Sequence, residues 1–172
     1  MRTVNDEVVV ADEPLTWVGE HDVELLKARA AANPRRRIRI CAHPDVDDPL
    51  HEMLIVHARG VYVRPHRHPS KSESMHVIEG AADVVFFDDE GRITQRVPVG
   101  APASGSAFYY RLRDPVYHSL VVRSEYFVFH EVTNGPFRRD DTEFAPWAPE
   151  ENDVTGAASF LRELAAAAAQ TR

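Results

Sequence analysis

Two histidines and a glutamate in the middle of this 172-residue chain have the types and spacing of metal ligands. His66 and His68 stand two residues apart, and Glu73 follows after a short loop. Side chains two apart on a β-strand point to the same face. Imidazole nitrogens and a carboxylate oxygen are good ligands for divalent Fe, Mn, Ni, Co or Zn. Because the chain has nine histidines, a pair alone would be weak evidence, and the rest of the pattern decides.

The position of Glu73 requires a break in the strand that carries the histidines. Glu73 comes seven residues after His66. Along one continuous strand this odd number would turn the carboxylate to the opposite face. Residues 69–72 begin with proline, which interrupts a strand and allows the register to be reset. The pattern therefore predicts that Glu73 opens a new strand, with Met75 and Val77 on its inward face.

The spacing resembles the first motif of the cupin family. That motif consists of a glycine, five residues, His-x-His, three or four residues, a glutamate, six residues and a glycine, and it matches Gly60, His66, His68, Glu73 and Gly80. The resemblance implies an all-β fold, an antiparallel jelly-roll β-barrel with short N-terminal and C-terminal helices. It also implies one bound divalent metal ion, and we favour Fe(II), with Mn, Ni, Co or Zn as alternatives.

The second cupin motif is only partly present. Cupins take a fourth ligand, a histidine often preceded by an aromatic residue, from a later strand, and Tyr117-His118 resembles this feature. The resemblance therefore implies His118 as the fourth ligand. The chain departs from the motif at residues 113–115, which read Arg-Asp-Pro instead of Pro-x-Gly, and at Val122, where asparagine is usual.

A narrower resemblance runs from the first predicted helix to about residue 150. Residues 33–37, 65–80 and 135–150 are similar to those of the WbuC family of cupin-fold metalloproteins. Members of that family are associated with bacterial surface-polysaccharide gene clusters. The resemblance supports the fold and the metal site rather than one reaction.

The elements around the motif predict a β-barrel between two helices. Helical spacing of Val23, Leu26 and Ala30 predicts a helix over residues 20–32, and a last helix is expected from Thr155, as N-cap, toward Gln170. Between them, β-rich runs predict antiparallel strands at residues 36–41, 51–58, 61–66, 74–79, 83–87, 93–97, 107–112, 116–122 and 126–133. We divide the chain into an N-terminal segment (1–35), the barrel (36–134) and a wrapping C-terminal segment (135–172).

Composition excludes several classes of protein. A net charge of −7 and a pI of about 5.7 argue against nucleic acid as a partner. No apolar run is long enough to span a bilayer, and the acidic N-terminus lacks the pattern of a signal peptide. With one cysteine, Cys41, the chain is expected to be cytoplasmic. The arginine-rich run at residues 35–39 is interpreted as a solvated strand face, or else as a rim that attracts an anionic substrate.

Several other residues are candidates for the pocket. Strand periodicity places Tyr62 and Arg64 on the face of His66. The Arg64 guanidinium could hold a substrate carboxylate or phosphate, or form a structural ion pair with Glu131. Glu131 is also a candidate for an acid–base role. Lys71 in the loop between ligands could reach a substrate, although a solvated lysine is the simpler interpretation.

Three functions remain open from the sequence. The first, which we favour, is a metal-dependent cupin enzyme acting on a small polar or anionic metabolite as a non-haem Fe(II) oxygenase. The second is a Lewis-acid isomerase or epimerase of a sugar or sugar nucleotide. The third is a non-catalytic, metal-dependent binder of a small molecule. A homodimer is expected, with strands near the N-terminus covering an exposed sheet edge.

Overall fold

Alternating buried and exposed side chains along the middle of the chain build two facing β-sheets. The structure is a computed structural model that describes residues 1–170. In chain order the elements are β1 (Arg2–Asn5), β2 (Val8–Val10), α1 (Glu20–Ala32), β3 (Arg37–Cys41), β4 (Leu50–Ala58), β5 (His66–Arg67), β6 (Glu73–Glu79), β7 (Ala81–Phe87), β8 (Ile93–Gly100), β9 (Tyr109–Leu112), β10 (Tyr117–Val122), β11 (Tyr126–Asn134), β12 (Glu143–Phe144) and α2 (Val154–Gln170). Short 3₁₀ turns lie at Pro102–Ser104 and Arg139–Asp141.

The two sheets enclose the main core between them. The larger sheet has the order β1-β2-β3-β4-β11-β6-β9, and the smaller has the order β12-β5-β10-β7-β8. Val77, Phe127 and Phe129 from the larger sheet pack with Val84 from the smaller one, and all four are almost completely buried. Burying these large apolar side chains between the sheets supplies most of the driving force for folding. The arrangement confirms the predicted all-β jelly roll with helices only near the two ends of the chain.

The N-terminal segment contributes more than the predicted helix. The strand β2 pairs in parallel with β3, so β2, α1 and β3 together form a βαβ unit that extends the larger sheet. The run Val8–Val10 is too short to stand out in a polar segment, and its pairing became visible only in the structure. Within residues 36–133, the named strands pair antiparallel, as predicted, and an isolated parallel bridge joins Val99 to Ala107.

The predicted strand at residues 61–66 is wrong over its first five residues. Only His66–Arg67 pairs as a strand, and the preceding residues form an irregular segment. Pro65 has no N–H to donate to a sheet ladder and restricts the residue before it. The segment is held instead by burial of Val61 and by the Ser119 hydroxyl, which donates to the Val63 carbonyl oxygen (2.7 Å). Strand periodicity therefore does not apply here.

Each helix covers the outer face of one sheet. The helix α1 has its predicted bounds and buries Leu26 and Ala30 against the larger sheet. The helix α2 buries Leu164 and Ala168 against the smaller one. It begins one residue before the expected N-cap. Asp153 caps it, since its Oδ1 accepts the backbone N–H of Gly156 (2.9 Å).

Two further points concern the chain as a whole. Among residues 1–170, neither helix combines the length and the apolar composition that a bilayer crossing would need. The last two residues of the predicted C-terminal segment, 171 and 172, lie outside the described residues.

Candidate metal centre

Four side chains, three on strands of the two sheets and one directly after β5, converge on one point. His66 lies on β5 directly opposite His118 on β10, and Glu73 opens β6 in the facing sheet. One ligand atom from each of His66, His68, Glu73 and His118 lies within 4.8 Å of all the others. Metal–ligand bonds of about 2.1 Å would place neighbouring ligands about 3 Å apart and opposite ones about 4 Å apart. The described group is therefore close to the dimensions of a metal site.

The loop at residues 69–72 resets the register as the sequence predicted. Glu73 Oε2 lies 3.4 Å from Nε2 of His68, and its Oε1 lies 3.3 Å from Nε2 of His118. Glu73 and His118 are buried, whereas His66 and His68 are half-buried. Solvent, and with it a small ligand, would therefore approach from the His66 and His68 side.

Each imidazole is oriented by a backbone carbonyl oxygen at its other nitrogen. The Nδ1 atom of His66 lies 2.9 Å from the carbonyl oxygen of Arg64. The Nδ1 atom of His68 lies 3.1 Å from the carbonyl oxygen of Asp141, and that of His118 lies 2.9 Å from the carbonyl oxygen of Val116. A carbonyl oxygen can only accept, so each Nδ1 must carry the hydrogen. All three Nε2 lone pairs are then left for a metal, which is the arrangement usual for histidine ligands.

The Glu73 carboxylate accepts a hydrogen bond from a tyrosine. The Tyr110 hydroxyl donates to Glu73 Oε1 at 3.0 Å. This bond satisfies part of the buried carboxylate and limits its rotation. Tyr110 pairs across the sheet with Met75, which faces the core, so the tyrosine approaches Glu73 from inside the barrel.

The four side chains of this group shift one another's pKa values. Burial would raise the pKa of Glu73, but the imidazoles, His118 foremost, hold it well below its usual value. Burial lowers the pKa of His66 to about 3, helped by the neighbouring His118. Burial acts downward on His68 and His118 too, but the Glu73 carboxylate outweighs it and raises both pKa values. A divalent cation would therefore compete with protons at His68 and His118.

The donor set fits a borderline divalent cation. Three imidazoles and one carboxylate match the preferences of Fe, Mn, Co, Ni and Zn rather than those of Ca or Mg, which favour oxygen ligands. Four protein ligands on a six-coordinate ion leave two positions for other molecules. His66, His68, Glu73 and His118 thus form a candidate site for one divalent metal ion.

Glu131 faces the same interior. On β11 it lies opposite Met53 and Met75, both buried in the core, and residues paired in this way share a face of the sheet. Its neighbour His130 turns to the outside, opposite Leu54 and His76. Burial and the nearby Glu73 carboxylate raise the pKa of Glu131 to about 7.

Arg64 and Tyr62 point toward the C-terminal segment. The Arg64 guanidinium lies over the Phe144 ring, 5.1 Å from its centroid, and donates to the Ala145 carbonyl oxygen (3.3 Å). The Tyr62 hydroxyl donates to the Pro149 carbonyl oxygen (2.8 Å). Because an irregular segment replaces the strand before His66, strand alternation does not apply to these two side chains, and their expected shared face with His66 stays a prediction. Arg64 forms no ion pair with Glu131 or with any other carboxylate of residues 1–170, so its predicted structural ion pair is absent from this part of the chain.

Sequence reasoning missed the support that the C-terminal segment gives to His68. Asp141 supplies the carbonyl oxygen for His68, and its carboxylate pairs with Lys71 Nζ at 3.0 Å. Lys71 is therefore a half-buried, ion-paired residue and not a solvated one. Its partners come from a distant part of the chain, and no local pattern signals such a contact.

A family described as a domain of unknown function (DUF6016) matches residues 18–99, somewhat under half of the chain. A search of curated proteins finds no match in sequence. Among solved structures, a Shewanella oneidensis protein is 13% identical, with a TM-score of 0.49 over 60% of this chain and 66% of that one.

Two other solved structures carry functional names. An oxalate decarboxylase of Bacillus subtilis is 24% identical, with a TM-score of 0.47 over 70% of this chain and 31% of that one. A sugar phosphate isomerase of the cupin superfamily from Silicibacter pomeroyi is 22% identical, with a TM-score of 0.40 over 51% and 52%. Likeness at this level says nothing about what this chain binds or acts on. The narrower resemblance to the WbuC family stays a prediction.

Proposed function

We propose that this chain is a metal-dependent enzyme that moves a proton on a small polar or anionic metabolite. One observation carries the proposal. Three imidazoles are held with Nε2 toward Glu73, and the same interior contains a second carboxyl group, Glu131, whose pKa is about 7. A general acid or base works best when its pKa lies near the working pH.

Each residue then has a definite task. His66, His68, Glu73 and His118 hold the cation, and a bound divalent ion supplies Lewis acidity that polarises a substrate carbonyl or hydroxyl oxygen. Tyr110 fixes Glu73 through its hydroxyl. Glu131 takes a proton from the substrate carbon in its ionised form and returns one in its protonated form. The pKa of about 7 belongs to the metal-free protein, and a bound cation would oppose the upward shift from Glu73 and so favour the ionised form that accepts the proton.

The position of Glu131 favours proton transfer over the oxygenase that the sequence favoured. The sequence offered only a weak candidate for a base, and the structure supports one facing the ligand group. Many isomerases, epimerases and lyases begin by removing a proton beside a polarised carbonyl group. The oxygenase remains the second candidate, because a three-histidine, one-glutamate set on a six-coordinate iron leaves two positions open.

Solvent isotope exchange distinguishes these functions. The protein is purified anaerobically, its metal is measured, and a panel of keto acids, hydroxy acids and sugar phosphates is incubated in D₂O and followed by NMR. Metal-dependent deuterium incorporation that Glu131→Gln abolishes would support proton transfer. The matched control is His130→Gln, because His130 directly precedes Glu131 on β11 and faces outward.

The other outcomes are equally specific. Oxygen uptake with iron-loaded protein and no isotope exchange would favour the oxygenase. Stoichiometric metal with neither reaction would favour a non-catalytic binder. Metal content that stays unchanged after His66→Ala and His118→Ala would contradict the metal site itself.

A further inference from the structure

The Arg39 side chain lies on the core-facing side of the larger sheet. On β3 it lies opposite Ile55 of β4, which in turn lies opposite Phe129 of β11. Ile55 and Phe129 belong to the core between the sheets, so Arg39 shares their face. Its side chain is nevertheless exposed, which shows that this face is open to solvent at β3.

The guanidinium lies near groups of the interior. Burial raises the pKa of the Cys41 thiol, and the adjacent Arg39 guanidinium opposes that shift. The same positive charge acts against the upward shift that burial and Glu73 impose on the pKa of Glu131. Arg39 therefore lies within electrostatic reach of the proposed acid–base residue.

No carboxylate neutralises Arg39 in the described part of the chain. Arg37, two residues earlier on the same strand, pairs with Glu7 (2.9 Å) and Glu151 (2.9 Å). Arg35 pairs with the same two glutamates. Among residues 1–170 no ion pair involves Arg39. An arginine on the interior face that is open to solvent and has no carboxylate partner among residues 1–170 is available to an anion from outside.

We propose that Arg39 binds a carboxylate group of the substrate, at the end away from the metal ligands. The proposal rests on the proposed function and names its substrate class, a small dicarboxylate or a keto or hydroxy acid with a second carboxylate. The planar guanidinium can hold a carboxylate through two parallel hydrogen bonds. Arg64, the residue expected from the sequence, has its guanidinium engaged by Phe144 and Ala145.

The strand register relates Arg39 to Glu131. Cys41 and Glu131 lie in one row across β4, so their Cα atoms are separated by two strand spacings, about 10 Å. The arginine side chain extends into this space from β3. A carboxylate held by Arg39 would therefore lie on the same inner face as Glu131, one register step from its row.

Calorimetric titration with paired probes tests the assignment. Zinc-loaded protein is titrated with glutarate, which has two carboxylates, and with butyrate, which has one. Wild-type protein should bind glutarate more tightly than butyrate. Arg39→Gln should reduce that preference by about tenfold to a hundredfold, the range for a lost charge-assisted hydrogen-bonded pair. Metal content and melting temperature should stay at wild-type values.

Two variants serve as controls. Arg37→Gln removes a neighbouring positive charge that is already paired, so it should leave the preference for glutarate intact. Arg64→Gln should also leave it intact. The assignment would be overturned if the wild type showed no preference for glutarate or if the preference survived Arg39→Gln. It would also be overturned if the preference were lost in Arg64→Gln instead.

Failure of the metal site can be recognised separately. The same titrations are repeated on chelator-treated protein, and metal content is measured for every sample. If the protein binds no metal, the proposed function fails. A glutarate preference that persists without metal and depends on Arg39 would still support the carboxylate site.

Discussion

Replacing Lys71 by methionine should weaken metal binding, although Lys71 donates to no ligand atom. The Lys71 ammonium holds the Asp141 carboxylate at 3.0 Å and the Pro136 carbonyl oxygen at 2.7 Å. Asp141 in turn presents its backbone oxygen to Nδ1 of His68 at 3.1 Å. The lysine therefore fixes the turn at Arg139–Asp141, and that turn fixes the ring of a metal ligand.

The expected size of the effect follows from these contacts. Losing a residue that orients a metal ligand typically lowers affinity by about tenfold to a hundredfold. The lower end applies here for two reasons. Only one of the three histidines depends on Asp141, and Ser70 still donates to the Asp141 carboxylate (2.8 Å) after the lysine is gone. We therefore expect metal affinity about tenfold weaker than that of the wild type.

The assay is competition for cobalt against a chelator of known affinity at constant pH. The absorption spectrum of bound Co(II) also reports whether His68 remains a ligand. Lys71→Arg, which keeps the charge, should restore most of the affinity. The control is Arg92→Met, which also removes one positive charge, but from an exposed ion pair with Asp88.

A purely structural role for Lys71 would give a different result. In that case Lys71→Met would lower the melting temperature, while the cobalt affinity and spectrum of the remaining folded protein would match those of the wild type. That outcome would refute the chain of contacts from Lys71 through Asp141 to His68.

Three further predictions concern the pH dependence of metal binding, a buried ion pair and the oligomeric state. Metal affinity should fall as the pH falls, because His68 and His118 have raised pKa values and must lose their protons to bind a metal. Chelator competition at several pH values measures this dependence, and an affinity that does not change with pH would contradict it. Asp83→Ala should lower the free energy of unfolding by about 3 kcal/mol in urea titrations, since the buried carboxylate pairs with two arginines, whereas the exposed Asp89→Ala should have little effect. The chain should form a homodimer through the exposed edge strand β1, and a proline at Thr3 should produce a monomer by light scattering, while an unchanged mass would exclude this edge.

The metal ligands are the part of the site that local sequence could predict. The spacing of His66, His68 and Glu73 follows from strand alternation and one register reset, and both are properties of neighbouring residues. His118 needed the resemblance to a known motif, because it lies far along the chain. The structure brings all four together.

The rest of the pocket depended on tertiary contacts. Strand alternation does not apply at Tyr62 and Arg64, because Pro65 interrupts the pairing on which it depends. At Glu131, alternation alone left open whether His130 or Glu131 faces inward, and the pairing of the long strand on both sides places Glu131 on the inner face. Arg39 belongs to an arginine-rich run whose members cannot be distinguished by composition.

Alternation, turns and ligand spacing all act over a few residues, so the fold class and the metal-binding pattern could be predicted from the amino-acid sequence. Which charges are neutralised depends on contacts between distant parts of the chain. Glu7 and Glu151 pair with Arg35 and Arg37 from opposite ends of the chain and leave Arg39 without a carboxylate partner among residues 1–170. Ion pairing depends on distance in space, and chain folding sets that distance independently of separation along the sequence.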